Sequence, residues 1–195
     1  MGKSKIILAS GSPRRKELLL QIGIVPEIIV SHVEEKITSD VPAEVVMSLA
    51  EQKAVDVAKE MPEGTVILGS DTVVAADGKI LGKPKSHEEA YEMIRRLAGR
   101  SHQVYTGVCI VKKATAGEED TVVSFYDETD VNVSTMTEAE IREYADSEEP
   151  MDKAGSYAVQ GFFARYIDGL KGSYANVMGL PVHLVYQELK KLGAL

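Results

Sequence analysis

A run of mostly strand-forming residues extends from Thr65 to Ala76, and the dipeptide Asp77-Gly78 follows it directly. Asp-Gly is typical of the two-residue turn of a β-hairpin, so we predict that the chain returns along Lys79–Leu81. A strand this apolar must be buried, which requires further strands beside it and other elements over its faces. The segment therefore predicts a domain built on a sheet that contains a hairpin.

Asp71 lies inside this apolar run. Aspartate is depleted in strands, and a buried carboxylate must be paired, hydrogen-bonded or bound to a metal. Two interpretations are open at this point. Asp71 is either a functional carboxylate or a structural one that caps a bulge or pairs with a lysine, because structural ion pairs also perturb carboxylates.

The N-terminal segment from Ile6 to Arg15 predicts a strand, a tight loop and a helix. Ser12 is suited to the N-cap and Pro13 to the first helical position, where a missing N–H costs nothing. The free N–H groups of such a helix, with Arg14 and Arg15 beside them, favour a phosphate site. The alternative is an ordinary capped surface helix with two solvated arginines.

Helical and strand patterns alternate along the rest of the chain, which predicts an α/β domain with a mixed sheet. We expect helices at 13–22, 42–61, 86–98 and 137–145, with a last one from Pro181. Further strands are expected at 27–31, 102–113, 120–133, 156–160 and 163–167, with a turn at 169–172.

Composition limits what a chain of this kind binds. It has 195 residues, 44% of them apolar, which indicates one domain over residues 1–195, arranged as a compact or two-lobed unit. The net charge of −8 argues against a nucleic-acid or membrane-surface binder. The single Cys109 is expected to be buried, and with no signal-like apolar stretch at the N-terminus we expect a cytoplasmic protein.

Several acids and bases stand where a phosphate site would need them. Glu34 and Glu35 follow a predicted strand end, and Lys53 lies at the edge of the apolar stripe of a helix. Lys83 and Lys153 lie in loops. Each is more often a surface residue when taken alone. Glu34 and Asp71 beside Arg14, Arg15, Lys53 and Lys83 have the composition expected of a metal-assisted phosphate-transfer site, with acids holding Mg²⁺ or Mn²⁺ and bases holding phosphates.

Six ordered motifs resemble those of the Maf family of nucleoside triphosphate pyrophosphatases, once named for septum formation. They are LASGSPRR at 8–15, GSDTVV at 69–74, LGKP at 81–84, GRSHQVYTG at 99–107, DKAGSYAVQG at 152–161 and GSYANVMGLP at 172–181. The resemblance implies an elongated two-lobed fold similar to inosine triphosphate pyrophosphatase, with the active-site cleft between the lobes. It also implies hydrolysis between the α and β phosphorus atoms with the help of a divalent cation.

The resemblance assigns roles to individual residues. Asp71 is similar to the family's proton acceptor, and Asp71 and Glu34 are similar to its metal ligands. The family's specificity positions correspond to Arg14, Thr72 and Gln160. Its phosphate-binding set corresponds to Ser10, Arg14, Arg15, Lys53 and Lys83. Thr72 and Gln160 match the branch that prefers dTTP and UTP. The alternative function is a nucleotide-sensing regulator of cell division whose hydrolysis is incidental. A homodimer is compatible with the sequence, although no interface can be read from it.

Overall fold

The fold is described from a computed structural model, which describes residues 4–115 and 117–195. Its strands are β1 Ile6–Leu8, β2 Glu27–Ile28, β3 Val66–Ala76, β4 Lys79–Leu81, β5 Ser101–Lys112, β6 Thr121–Val133 and β7 Ile167–Lys171. Its α-helices are α1 Pro13–Gln21, α2 Pro42–Ala58, α3 His87–Leu97, α4 Glu138–Ala145, α5 Tyr174–Val177 and α6 Val182–Lys191. Short 3₁₀ helices occupy Glu149–Asp152, Ala154–Ser156 and Phe162–Tyr166.

The seven strands form one mixed sheet in the order β2-β1-β3-β5-β6-β7, with β4 paired to β3. The β1 strand is parallel to β2 and β3, and all other pairs are antiparallel. The expected mixed α/β class is therefore confirmed.

The sheet has a gap beside the middle of β3. On that side β1 pairs with residues 66–68 and β4 pairs with residues 74–76. Between these two partners, residues 69–73 of β3 pair only with β5 in the described part of the chain. Because side chains alternate between the faces of a strand, such a gap lets neighbouring residues from opposite faces reach one opening.

Apolar clusters cover the two ends of β3 on one face. Val66 and Leu68 pack with α1 and α6, whereas Val74 and Ala76 pack with α3 and α4. Ser70 and Thr72 follow the same alternation and separate the two clusters. The other face of β3 packs against α2, through a cluster that includes Ile67.

Two glycines let α2 lie directly on the sheet. A Cβ on Gly69 would be 2.2 Å from the carbonyl oxygen of Ala50, and a Cβ on Gly107 would be 2.2 Å from that of Val46. Gly107 is the β5 residue opposite Asp71. The helix therefore passes close to the point where Asp71 leaves β3.

Most of the predicted elements are present, with three corrections. Residues 156–160 form no strand, and residues 162–166 form a 3₁₀ helix because their aromatic side chains pack into the core beside α4. The turn expected at 169–172 is largely strand β7, which pairs with β6 across a register shift at Asn132/Val133. No helix within 4–115 and 117–195 combines the length and apolarity needed to cross a membrane.

Candidate active site

A cleft of about 390 Å³ opens at the gap in the sheet beside β3. Its wall has a charged part and an apolar part. The charged lining residues are Arg14, Arg15, Glu35, Lys53, Asp71, Lys83, Asp152 and Lys153. The apolar lining residues are Val74, Val104, Ala154, Tyr157, Ala158, Val159, Val177 and Met178, with Ser12, Thr72, Gln160 and Gly179 completing the wall.

Two carboxylates share one ammonium group in the charged part. The Nζ atom of Lys53 lies 2.5 Å from Oδ1 of Asp71 and 3.1 Å from Oε1 of Glu35. The Lys53 and Asp71 side chains are mostly buried, whereas that of Glu35 is 46% exposed. The pairing satisfies the buried carboxylate of Asp71 and leaves it facing the cleft.

The irregular loop that carries Glu35 is fastened to α2. The amide of Gln52 accepts from the backbone N–H of Lys36 and donates to its carbonyl, both at 2.9 Å. Nearer the start of the loop, Asp56 accepts from the Ser31 hydroxyl at 2.8 Å and from the His32 N–H at 3.3 Å. These hydrogen bonds, that from Ser31 foremost, lower the pKa of Asp56. One helix thus holds both Lys53 and the segment that brings Glu35 to it.

Arg15 is bound within the protein. Its Nε donates to the carbonyl of Gly179 at 2.8 Å, Nη1 to the Ser10 hydroxyl at 3.0 Å, and Nη2 to the Thr72 hydroxyl at 3.1 Å. Burial lowers the pKa of Arg15, and the charge of nearby Asp71 opposes that shift. The guanidinium joins the β1–α1 loop, β3 and the turn before α6.

The hydroxyl of Thr72 continues this network into the sheet. It lies 2.9 Å from the Thr106 hydroxyl, which donates to the carbonyl of Asn176 at 2.9 Å. Since the proton of Thr106 is used there, Thr72 donates to Thr106 while it accepts from Arg15. The position of Thr72 is therefore fixed by its protein partners.

Arg14 lines the cleft together with an ion pair. Asp152 and Lys153 contact each other there, and the Lys153 side chain is mostly buried. The hydrogen bond from Lys153, with a smaller contribution from the charge of Arg14, lowers the pKa of Asp152. Lys83 lines the same cleft from the loop after β4.

The apolar part includes Tyr157, whose hydroxyl lies 2.7 Å from Nε2 of His102. Both residues are buried, and desolvation raises the pKa of Tyr157 and lowers that of His102 to about 4. His102 is therefore neutral near pH 7. Gln160 stands at the exposed rim of this recess.

A family model described as "Maf-like protein" matches residues 5–192. This chain belongs to the Maf family. The assignment covers nearly all of the described structure, including every residue that lines the cleft.

Curated Maf relatives share about half of their residues with the chain. A protein of Lachnoclostridium phytofermentans named "dTTP/UTP pyrophosphatase" is 48% identical over 189 residues, covering 97% of this chain and 95% of that protein. A protein of the same name from Agathobacter rectalis is 48% identical over 205 residues, covering 97% and 98%. One from Bacillus anthracis is 48% identical over 188 residues, covering 96% and 95%.

Among solved structures, the Maf chain resembles the Ham1 protein of Staphylococcus aureus with a TM-score of 0.42. The sequence identity is 15%, and the match covers 67% of this chain and 72% of that one.

The cleft brings together most of the residues that the motifs single out in this Maf chain. Those that line it are Arg14, Arg15, Lys53, Asp71, Thr72, Lys83 and Gln160. Ser10 is buried behind the wall, where its hydroxyl accepts from Arg15 and, at 3.3 Å, from the N–H of Ser12. Ser12 occupies the N-cap of α1 without a side-chain capping bond.

The acid loop differs from expectation. Glu34 is exposed and does not line the cleft, whereas its neighbour Glu35 does and pairs with Lys53. The sequence offered no signal to choose between the two, because residues 31–39 have no regular periodicity. The metal-ligand role of Glu34 stays a prediction, and Glu35 is the acid that the fold brings to the Lys53–Asp71 pair.

Three cleft residues have no individual role predicted from the sequence: Asp152, Lys153 and Tyr157. All three lie within the motif at 152–161, so the signal was present. Individually they are a surface-type ion pair and an aromatic residue, and only the packing of the segment against the cleft distinguishes them.

Proposed function

We propose that this Maf chain hydrolyses dTTP and UTP to nucleoside monophosphate and pyrophosphate, with Asp71 as the base that activates water. The observation that carries the proposal is one cleft whose wall combines a Lys53 ammonium shared between two carboxylates with a set of apolar side chains. Such a cleft matches a ligand with a polyanionic tail and a flat, largely apolar base. The names of the curated relatives support the same activity.

The triphosphate binds at the charged part of the wall. Arg14 and Lys83 belong to this part, and they neutralise the charge that develops on the leaving pyrophosphate. Arg15 contributes positive potential while its N–H groups hold Ser10, Thr72 and Gly179. Because the Arg15 guanidinium already donates to three protein groups, we assign direct phosphate contacts to Arg14 in preference to Arg15.

Asp71 accepts the proton of the attacking water. Its Oδ1 is held by Lys53 at 2.5 Å, so the carboxylate has a fixed orientation where it lines the cleft. The backbone beneath is a paired strand, which fixes the carboxylate without help from a flexible loop. A group that must accept a proton within hydrogen-bond reach benefits from this rigidity.

The two carboxylates fit a divalent cation of the Mg²⁺ type. Mg²⁺ is usually held by one or two protein carboxylates together with substrate phosphates, and Asp71 and Glu35 approach the same Lys53 atom from the same cleft. When bound, such an ion lowers the pKa of water and polarises the phosphoryl group. Within the described residues no group of three or more acidic, histidine or cysteine side chains could hold an ion.

Gln160 reads the base at the rim of the apolar recess. Uracil and thymine present an acceptor, a donor and an acceptor along one edge, and a glutamine amide pairs with two adjacent members of that set. The methyl group of thymine requires only a small apolar space. A single methyl discriminates weakly, so acceptance of both dTTP and UTP is expected.

The test is a panel of nucleoside triphosphates incubated with the protein and Mg²⁺ or Mn²⁺, with products separated by anion exchange. We expect dTTP and UTP to be hydrolysed fastest, giving monophosphate and pyrophosphate in equal amounts. Diphosphate with orthophosphate as the products would contradict the proposed bond cleavage. Equal rates for all bases would contradict the proposed role of the recess.

A further inference from the structure

Gln160 lies on a segment that is held by side chains on both sides. Among residues 157–161 no helix or strand is present, and the Gln160 side chain is at an exposed rim. Three residues before it, Tyr157 is hydrogen-bonded to His102 of β5. The chain after it is held by hydrogen bonds to the half-buried Glu149, which is not part of the cleft.

The carboxylate of Glu149 accepts three hydrogen bonds. It accepts from the backbone N–H of Phe162 at 2.8 Å, from that of Phe163 at 3.2 Å, and from the hydroxyl of Tyr144 at 3.1 Å. Tyr144 and Phe163 are fully buried, so the carboxylate is fixed to the core of the α3–α4 side of the molecule. A carboxylate that accepts several N–H and O–H groups is a strong and directional anchor.

Gly161, the residue after Gln160, lies against the Glu149 carboxylate. Its φ of +147° lies in a region that other residues rarely adopt, and a Cβ would be 2.7 Å from Oε2 of Glu149. The backbone therefore passes close to Glu149 in a conformation that favours glycine. A carboxylate outside the cleft thus holds the chain directly after Gly161, the neighbour of Gln160.

The chemistry of base reading makes this placement decisive. Guanine presents an acceptor and a donor, O6 and N1–H, in the same arrangement as O4 and N3–H of uracil. A glutamine amide pairs equally well with either set. What differs is the distance from the ribose, because a purine carries its pairing edge farther from the sugar than a pyrimidine does.

We propose that Glu149 is a positioning residue that sets the preference for pyrimidine over guanine nucleotides by fixing where Gln160 stands. This inference rests on the proposed function, and in particular on base reading by Gln160. A firmly held Gln160 meets the near edge of uracil and excludes guanine by distance. A loosened Gln160 pairs with both.

The experiment compares kcat/KM for UTP and GTP in the full chain and its variants. Glu149→Gln, which weakens the anchor with little change in size, is expected to lower the UTP-to-GTP ratio about fivefold or more. The change should lie in KM, mainly as a lower KM for GTP, with kcat for UTP altered by less than about twofold, because Asp71 is untouched. Tyr144→Phe, which removes one of the three hydrogen bonds and keeps the buried ring, should shift the ratio in the same direction by less.

Glu148→Gln is the matched control. Glu148 is the neighbouring acid, it is exposed, and its side chain makes no hydrogen bond or ion pair among the residues that the structure describes. The ratio should be unchanged in this variant. A fall equal to that of Glu149→Gln would show an effect of charge alone and would overturn the positioning role.

Gln160→Ala separates this inference from the function beneath it. The ratio should fall in Gln160→Ala, and adding Glu149→Gln should change it no further, because the two residues act through one contact. If Gln160→Ala lowers the ratio but Glu149→Gln and Tyr144→Phe do not, positioning by Glu149 is overturned and base reading stands. If Gln160→Ala leaves the ratio unchanged, base reading and this inference both fall, whereas pyrophosphate release from UTP remains a separate result.

Discussion

Asp71 and Lys53, in the charged part of the cleft, lie on a strand and a helix whose backbones pack directly against each other. Gln160, in contrast, lies on an irregular segment that is held by side-chain hydrogen bonds. The first arrangement depends on Gly69 and Gly107, where the sheet admits no Cβ beneath α2. The second depends on hydrogen bonds that Glu149 accepts from the irregular chain and on the hydrogen bond between His102 and Tyr157.

This difference separates the part of the site that transfers a proton from the part that selects the base. Proton transfer needs atoms held to within a fraction of an ångström, and paired secondary structure supplies that. Base selection depends on the position of a single side chain. A segment fixed by a few polar contacts can take another position when one of those contacts is removed. Variants in the charged part should therefore act on kcat and stability, and variants in the apolar part on substrate preference.

Gly107→Ala should have the largest effect. The added Cβ would meet the carbonyl of Val46 at 2.2 Å and the amide nitrogen of Met47 at 2.6 Å, so α2 must shift as a whole. We expect a loss of more than about 3 kcal/mol in unfolding free energy, measured by urea denaturation.

Two further glycines calibrate that result. Gly161→Ala meets only the Glu149 side chain but requires an unfavourable φ, and it should cost about 1–2 kcal/mol. Gly82→Ala meets nothing within 4 Å and should be close to neutral. Equal losses at Gly107 and Gly161 would break the contrast between the two parts.

Lys53→Met should lower kcat for UTP by about 100-fold, because it removes the only cation that the described structure places between Asp71 and Glu35. Steady-state kinetics with saturating Mg²⁺ checks this. Lys59→Met, at the C-cap of α2, removes a pair between the exposed Lys59 and Asp56 and should leave kcat within about twofold. Similar losses in both variants would show that helix charge, and not the shared ammonium, is responsible.

His102 predicts a pH dependence in the apolar part. Its pKa is about 4 in the folded protein and near 6.5 when unfolded, so the unfolded chain binds the additional proton between these values. The stability that neutral His102 contributes is therefore present above about pH 6.5 and lost as the pH falls toward 4. We expect a cost of about 2 kcal/mol at pH 5 relative to pH 7.

The measurement is the unfolding free energy at pH 7 and pH 5 for the wild type and for His102→Gln. Other titrating groups contribute to the pH dependence of both proteins, so the difference between them isolates His102. The variant should lose about 2 kcal/mol less than the wild type over this interval. His183→Gln, at an exposed position, should behave as the wild type does. An equal loss in the wild type and His102→Gln would contradict the burial argument.

Local sequence patterns predicted much of this fold because they have local causes. The Asp77-Gly78 turn and the capping box at Thr137 and Glu140 form as expected, and Asp77 adopts the left-handed φ of 51° that such a turn needs. Cys109 is buried, and desolvation raises the pKa of its thiol to about 11. Hairpins and caps are specified within a few residues.

What the sequence left open depends on contacts between distant segments. Local pattern predicted a strand at 163–167, but the rings there pack beside α4, and β7 forms after them. The choice of Glu35 over Glu34 depends on Gln52 and Asp56, which fasten the loop from α2. The three bonds of Arg15 join segments up to 164 residues apart, and no local pattern specifies them.

The most direct test of the central claim is to separate binding from turnover in Asp71→Asn. If Asp71 is the base, kcat for UTP should fall about 1,000-fold, while Kd for a non-hydrolysable UTP analogue, measured by calorimetry with Mg²⁺, stays within about threefold. Asp152→Asn, which removes another carboxylate that lines the cleft, should retain most of kcat. A kcat in Asp71→Asn within about tenfold of the wild type would contradict the account, because water activation would then lie with another group.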